Sequence, residues 1–339
     1  MFSRSSARSL VRSPARSTVA GAARAVVVAA TVALGGLAAS GPVLAAAPMV
    51  KTQAPGFFRI MLGSFEVTAL SDGTVDLPTD QLLHQPAEKT RAALAKSFLK
   101  APTETSVNAF LINTGSRLVL VDTGAGGLFG PTLGKLTDAL RAAGYTPEQV
   151  DDILITHLHP DHIGGAVAQG ALAFPNATVH ADKRESDFWL STARMDSAPA
   201  EAKGFFQGAM ASLNPYVAAG KFKPFEANGE LLPGVRSVAA LGHTAGHTVY
   251  EVESQGQKLL LIGDLIHVGA VQFDQPAVTL AFDSDQPRAA KARATVFKQA
   301  AKDGVLVGAA HLQFPGLGHL RVAGKGYQWL PVNYTTQLK

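Results

Sequence analysis

The chain has 339 residues, 47% of them hydrophobic and 17% charged, with 33 Gly, 19 Pro and no Cys. This composition is globular and too apolar for disorder, and without cysteine there is no disulfide scaffold, thiolate nucleophile or Cys-ligated metal site. The net charge of +4 is local: residues 1–45 hold five arginines (Arg4, Arg8, Arg12, Arg16, Arg24) and no acid, and without them Lys+Arg falls from 30 to 25 against 26 Asp+Glu, so a nucleic-acid partner has no electrostatic support.

The basic stretch runs into an apolar segment, 25–39, and then into small residues ending Val43-Leu44-Ala45-Ala46-Ala47. Positive start, short apolar core and small-x-small site read as a secretory signal over 1–47, cleaved between Ala45 and Ala47. The core is shorter than the ~20 residues of a membrane span, and Gly35, Gly36, Gly41 and Pro42 interrupt it. The remainder, 48–339, is expected to be one domain, periplasmic or secreted, with no stable span once the signal is removed.

Strand-like runs follow at 57–62, 65–69, 107–113 and 117–121, the last nearly all apolar, as in a strand buried on both faces. A helix is expected over 131–143, opened by Pro131, with Leu133, Leu136 and Leu140 on one face and a stop at Gly144. Thr146-Pro147-Glu148-Gln149 has capping-box spacing, and 152–156 is a further apolar strand. Residues 185–225 read as irregular helix dense in aromatics. Strands are expected at 235–241, 248–253, 258–262 and 305–309, a helix at 286–302 capped by Asp285, and a closing pair near Leu320 and Tyr327. Mixed sheets with helices in one domain are the simplest reading.

Three of ten histidines lie within six residues, in Thr156-His157-Leu158-His159-Pro160-Asp161-His162. In extended chain, positions i and i+2 point the same way, so His157 and His159 can reach one ion. Pro160 then forces a turn that presents Asp161 and His162 from another direction. Four donors in one loop suit two ions better than one tetrahedral ion. Gly164-Gly165 allow close backbone approach. His243, Asp264 and His311 each follow an apolar run, and Asp264 is the carboxylate placed to bridge two cations.

His157-x-His159-x-Asp161-His162, with Leu120-Val121-Asp122-Thr123-Gly124 upstream and His243, Asp264 and His311 downstream, resembles the metallo-β-lactamase superfamily. The resemblance implies an αββα sandwich of two mixed sheets flanked by helices. It implies His157, His159 and His243 on one metal, Asp161, His162 and His311 on a second, and Asp264 between them. Asp122 and His247 resemble the residues that orient ligand imidazoles. The two divalent ions, zinc by default with Mn, Fe or Co also suited, would activate a shared water, with Asp161 or Asp264 carrying a proton to the leaving group. The resemblance also suggests a homodimer.

Within the family, Ser71-Asp72-Gly73-Thr74, Gly127-Leu128-Phe129-Gly130, Asp187-Phe188-Trp189-Leu190 and several later stretches are similar to the secreted branch typified by methyl parathion hydrolase. That likeness implies an aromatic mouth of Phe129, Trp189 and Phe205. The chain departs from it at His267, Leu280 and Phe282. An imidazole at His267 would narrow an apolar pocket and add a hydrogen-bond donor. A planar lactone or aryl ester is therefore the expected substrate, with phosphotriester cleavage weaker. An acyl-homoserine lactonase, or an iron-dependent redox enzyme on the same fold, is the alternative.

Overall fold

Side-chain alternation along nearly all-apolar strands decides the architecture. Successive side chains of a strand point to opposite faces, so a strand apolar on both needs a packed layer on each side. In Leu118–Val121, Leu118 and Leu120 join a core with Leu136, Leu140, Ile163, Phe206 and Leu213. Val119 and Val121 join a second core with Tyr250, Val252, Leu259 and Leu261. In Gln257–Leu261 the split repeats: Leu259 and Leu261 face the second core, and Leu260 faces a third with Phe297 and Ala300.

The computed structural model describes residues 47–338. The signal reading over 1–47 lies outside them apart from Ala47. From Thr52 onward the chain forms one compact unit. Its strands are β1 (Phe57–Leu62), β2 (Phe65–Leu77), β3 (Thr103–Asn113), β4 (Leu118–Val121), β5 (Asp152–Leu154), a small ribbon of β6 (Val167–Ala168) and β7 (Ala171–Leu172), β8 (Thr178–Asp182) and β9 (Phe222–Phe225). Then come β10 (Glu230–Leu232), β11 (Val235–Ala239), β12 (Thr248–Ser254), β13 (Gln257–Leu261), β14 (Leu306–Gly308), β15 (Leu317–Ala323) and β16 (Gly326–Pro331). They build two seven-stranded sheets, ordered β1-β2-β3-β4-β5-β8-β9 and β10-β11-β12-β13-β14-β15-β16. Both are mixed: β4, β5, β8 and β9 run parallel in the first, and β13 and β14 in the second. Helices Leu136–Ala142 and Ala200–Ala218 cover the outer face of the first sheet, and Gln286–Asp303 covers the second. The result is the expected αββα sandwich.

This topology positions the site. β11 and β13 are each antiparallel to β12, so they run the same way, and β14 joins them. The carboxyl ends of β11, β13 and β14 therefore open on one edge, and those of β4 and β5 open together in the facing sheet. Among the described residues no helix is long and apolar enough to cross a membrane.

Several expected boundaries shift. The helix expected at 131 begins only at Leu136, because Gly134 holds a positive φ of 79°. Leu133 packs instead with Val107, Ala125 and Val75. The short helices Thr79–Leu82 and Ala87–Lys96 and the strands β8, β9 and β10 have no counterpart in the sequence reading. The capping box at Thr146 and the cap by Asp285 are present as expected.

The loop after β4 is held by one buried carboxylate. Asp72 is the extra residue of a bulge in β2, where Ser71 pairs with Asn108 and Gly73 with Val107. Its Oδ2 accepts from the backbone N–H of Ala125 and Gly134, and Oδ1 from that of Leu136. Asp72→Ala would strand these donors, and the expected loss of stability, read by denaturant unfolding, is about 2–4 kcal/mol. A loss under about 0.5 kcal/mol, the scale of an ordinary surface change, would show that the loop does not rely on Asp72.

Candidate metal centre

The loop after β5 is shaped by its own sequence. Pro160 opens a single helical turn, Pro160–Ile163, with His159 at its cap, because proline's fixed φ suits the first helical position. Gly165 lets this turn sit on the loop after β4: a Cβ there would stand 2.0 Å from the Thr123 carbonyl oxygen.

The structure brings all seven expected donors together. His157, His159, His162, His243, Asp264 and His311 are buried, and Asp161 is half-buried. They form two groups, His157–His159–His243–Asp264 and Asp161–His162–His311, with ligand atoms within 4.8 Å of one another in each. Asp264 stands between them. Its Oδ2 lies 3.5 Å from His157 Nε2 and 3.2 Å from His243 Nε2. Its Oδ1 lies 3.1 Å from both His162 Nε2 and His311 Nε2. Asp161 Oδ2 is 3.6 Å from His162 Nε2 and 3.5 Å from His311 Nε2.

The second nitrogen of four imidazoles is anchored. His162 Nδ1 donates to Asp122 Oδ2 at 2.9 Å, and His243 Nδ1 donates to Asp283 Oδ1 at 2.9 Å. His311 Nδ1 donates to the Ser106 carbonyl at 2.9 Å. Thr156 gives its hydroxyl proton to Asp122 Oδ2 at 2.8 Å, which leaves its oxygen to accept from His157 Nδ1 at 3.1 Å. Each anchor occupies Nδ1 and points Nε2 into the space around Asp264. His157 Nε2, His162 Nε2 and Asp264 Oδ1 are buried without a hydrogen-bond partner. Buried polar atoms are rarely left so, and nitrogen and oxygen donors crowding one centre fit divalent cations.

The charge state follows from burial and the carboxylates. Burial carries His157 and His159 well below the usual histidine range. In His162 burial is outweighed by Asp264, Asp161 and Asp122, and the group lies well above that range. His243 is pushed up to about 9 by Asp264 and Asp283 against burial, and His311 is raised by Asp264 in the same way. Burial would raise Asp264, but the imidazoles around it, His162 first, hold it well below the carboxylate range.

His247 behaves differently from the expectation that it orients a ligand imidazole. Its Nε2 accepts from the Asp264 backbone N–H at 3.0 Å, fixing the turn that carries the carboxylate. His267 reaches Asp264 Oδ2 at 3.1 Å and stacks on His311 with 4.7 Å between centroids. It lines a small cavity of about 70 Å³ at the cluster with Phe129, Phe205, Phe282, Asp161 and Asp264. A wider cleft of about 330 Å³ lies beyond Phe205 and Phe282, and Trp189 lines this cleft rather than the cavity. Leu280 lines neither. It pairs with Leu83 and packs with Leu94, Val268 and Val271, so its place in the pocket is withdrawn.

The sequence reading missed two buried acids. Glu185 accepts from Leu158 N at 3.0 Å and Gly246 N at 2.5 Å, tying the two histidine loops together. Asp283 anchors His243. Each lies far in sequence from its partner, and only the acidic residue type was available as a signal.

A paired His/Asp centre at the edge of an αββα sandwich defines the class. The profile of the metallo-beta-lactamase superfamily matches residues 102–311, and the chain belongs to that family. The solved hydrolase AbOPH, in the beta lactamase superfamily, aligns with TM-score 0.80 and 37% identity, over 84% of this chain and all of its own. AidC, a dizinc quorum-quenching lactonase solved with the product N-hexanoyl-L-homoserine, aligns with TM-score 0.76 and 30% identity, over 83% of this chain and 99% of its own. An N-acyl homoserine lactonase of a Bacillus species is 30% identical over 174 residues, 45% of this chain. The match spans 61% of that relative's length.

A cation entering this centre competes with protons that the carboxylates favour on His162 and His243. Calorimetry at pH 7 in buffers of different ionisation enthalpy is expected to show about one or more protons released on zinc binding, with affinity weakening as pH falls. Binding at pH 7 with no proton release contradicts this charge state.

Proposed function

We propose that this chain is a hydrolase holding two divalent ions, one by His157, His159 and His243 and the other by Asp161, His162 and His311, with Asp264 bridging. The observation that carries the reading is the place of Asp264 between the two donor groups: Oδ2 faces His157 and His243, Oδ1 faces His162, and His311 reaches both, at 3.1 Å to Oδ1 and 3.3 Å to Oδ2. Zinc is the proposed metal, in keeping with the dizinc AidC. When bound, such ions bring the pKa of a water toward neutral and polarise the bond to be cleaved.

The chain's own residues do the rest. Asp122, Asp283, Thr156 and the Ser106 carbonyl hold the ring orientations. Phe129, Phe205 and Phe282 wall the cavity against bulk solvent. Asp161 lines it and keeps some exposure, which makes it the acid able to carry a proton to the leaving oxygen; Asp264 is enclosed by imidazoles.

The substrate we propose is a lactone with an acyl arm, of the N-acyl homoserine lactone class. The small cavity fits a ring at the donors, and the apolar cleft beyond Phe205 and Phe282 fits the arm. The named activity of the lactonase relatives supports this. The aromatic lining favours aryl esters or phosphotriesters as a second activity, narrowed by His267. We further propose export by the 1–47 segment, giving a mature chain that begins at Ala46 or Ala47, and a homodimer.

A turnover panel of an N-acyl homoserine lactone, an aryl lactone, a phosphotriester and a β-lactam tests the reading. The acyl lactone is expected to have the highest kcat/KM, and a leading phosphotriester or β-lactam refutes the assignment. Asp264→Asn is expected to lower lactone kcat/KM about 100-fold or more, since a bridging ligand supports several kcal/mol of charge stabilisation. His267→Leu is expected to raise phosphotriester turnover relative to lactone turnover, and a flat or lower ratio removes the pocket argument.

A further inference from the structure

A buried arginine lies behind the centre and takes no part in the chemistry above. Arg293, on the helix Gln286–Asp303, has a side chain 1% exposed and, among the described residues, a single carboxylate within reach, Asp283 Oδ2 at 3.8 Å. Its Nη1 donates to the carbonyls of Pro276 and Val278 at 2.8 Å each, and its Nε donates to the carbonyl of Leu265. Leu265 directly follows Asp264, and Asp283 holds His243 Nδ1. One guanidinium therefore hydrogen-bonds to the turn carrying Asp264 and lies at ion-pair distance from the carboxylate orienting His243. Asp283 Oδ2 also accepts from Leu280 N at 3.1 Å, which leaves the carboxylate little freedom to rotate.

A buried guanidinium is expensive to desolvate, and packing alone would be served as well by an apolar side chain. What an apolar residue cannot do is donate to three carbonyls while setting a positive charge beside a carboxylate. His243 Nε2 stands 3.2 Å from both His159 Nδ1 and Asp264 Oδ2, so its ring angle decides whether these donors converge.

We propose that Arg293 is a positioning residue that sets both the Asp264 turn and Asp283, and through Asp283 the His243 ring. The inference rests on the two-ion reading above, and deepens it by naming what fixes donors from two different loops.

The test uses the full mature chain loaded with cobalt(II), whose affinity is read by competition with a chelator and whose ligand geometry is read from the visible spectrum. Loss of an outer partner of a metal-bound imidazole costs about 10- to 100-fold in affinity. Asp283→Ala is expected to weaken cobalt binding by that factor and to shift the spectrum. Asp283→Asn, which keeps an acceptor for His243 Nδ1, is expected to recover part of the affinity, and it stands in if the alanine variant does not fold. Arg293→Met is expected to weaken binding several-fold. Phe297→Leu, a packing change on the same helix, is expected to leave affinity and spectrum at wild-type values. Wild-type affinity and spectrum in Asp283→Ala or in Arg293→Met, or an equal loss in Phe297→Leu, overturns the inference alone. A wild-type chain that takes up no cobalt overturns the two-ion reading and this inference with it.

Discussion

One carboxylate organises this molecule. Asp264 is buried at the point where two sheets open, and imidazoles from three separate loops lie within 3.5 Å of its oxygens. A buried carboxylate is costly unless it is paired and hydrogen-bonded. Here the compensation comes from the imidazoles around it, His162 first, and divalent cations held among those rings would supply it in place of their protons. The fold brings loops from both sheets to one edge so that this convergence can occur. Asp122, Asp283, Glu185 and Asp72 then hold those loops by their backbones and ring nitrogens.

Most of the sandwich could be read from apolar runs. The strand near 118 was visible because burial on both faces leaves it without polar residues, and those near 57, 235 and 258 because apolar residues dominate them despite Arg59, Arg236 and Lys258. The helix near 131 was misplaced because Leu133, Leu136 and Leu140 have helical spacing, while Gly134 needs a left-handed φ that no helix offers. β8 carries His180 and Asp182 within its five residues, which weakens its apolar signature, and β10 is only three residues long. The helices 79–82 and 87–96 lack a strong apolar stripe and showed no sequence signal.

The donor set was legible for a different reason. Ligand-type residues sit where apolar strands end, and a polar group there is conspicuous. The residues behind the donors were not legible. Asp283, Glu185 and Arg293 act across 61 residues in the case of Glu185 and Gly246, and no local pattern links them. Leu280 was misassigned because it neighbours Phe282 in sequence, yet the backbone turns it toward Leu83. Trp189 packs into the core and borders the outer cleft rather than the inner cavity.

The place of Asp264 between two donor groups is the claim on which the mechanism, the metal count and the placement of substrate all depend. Anomalous scattering from crystals of the zinc-loaded protein, collected at the zinc edge, addresses it directly. The account predicts two peaks, one on each side of the Asp264 carboxylate, the first against His157, His159 and His243 and the second against Asp161, His162 and His311. A single peak, or peaks that leave Asp264 uncoordinated, would contradict it.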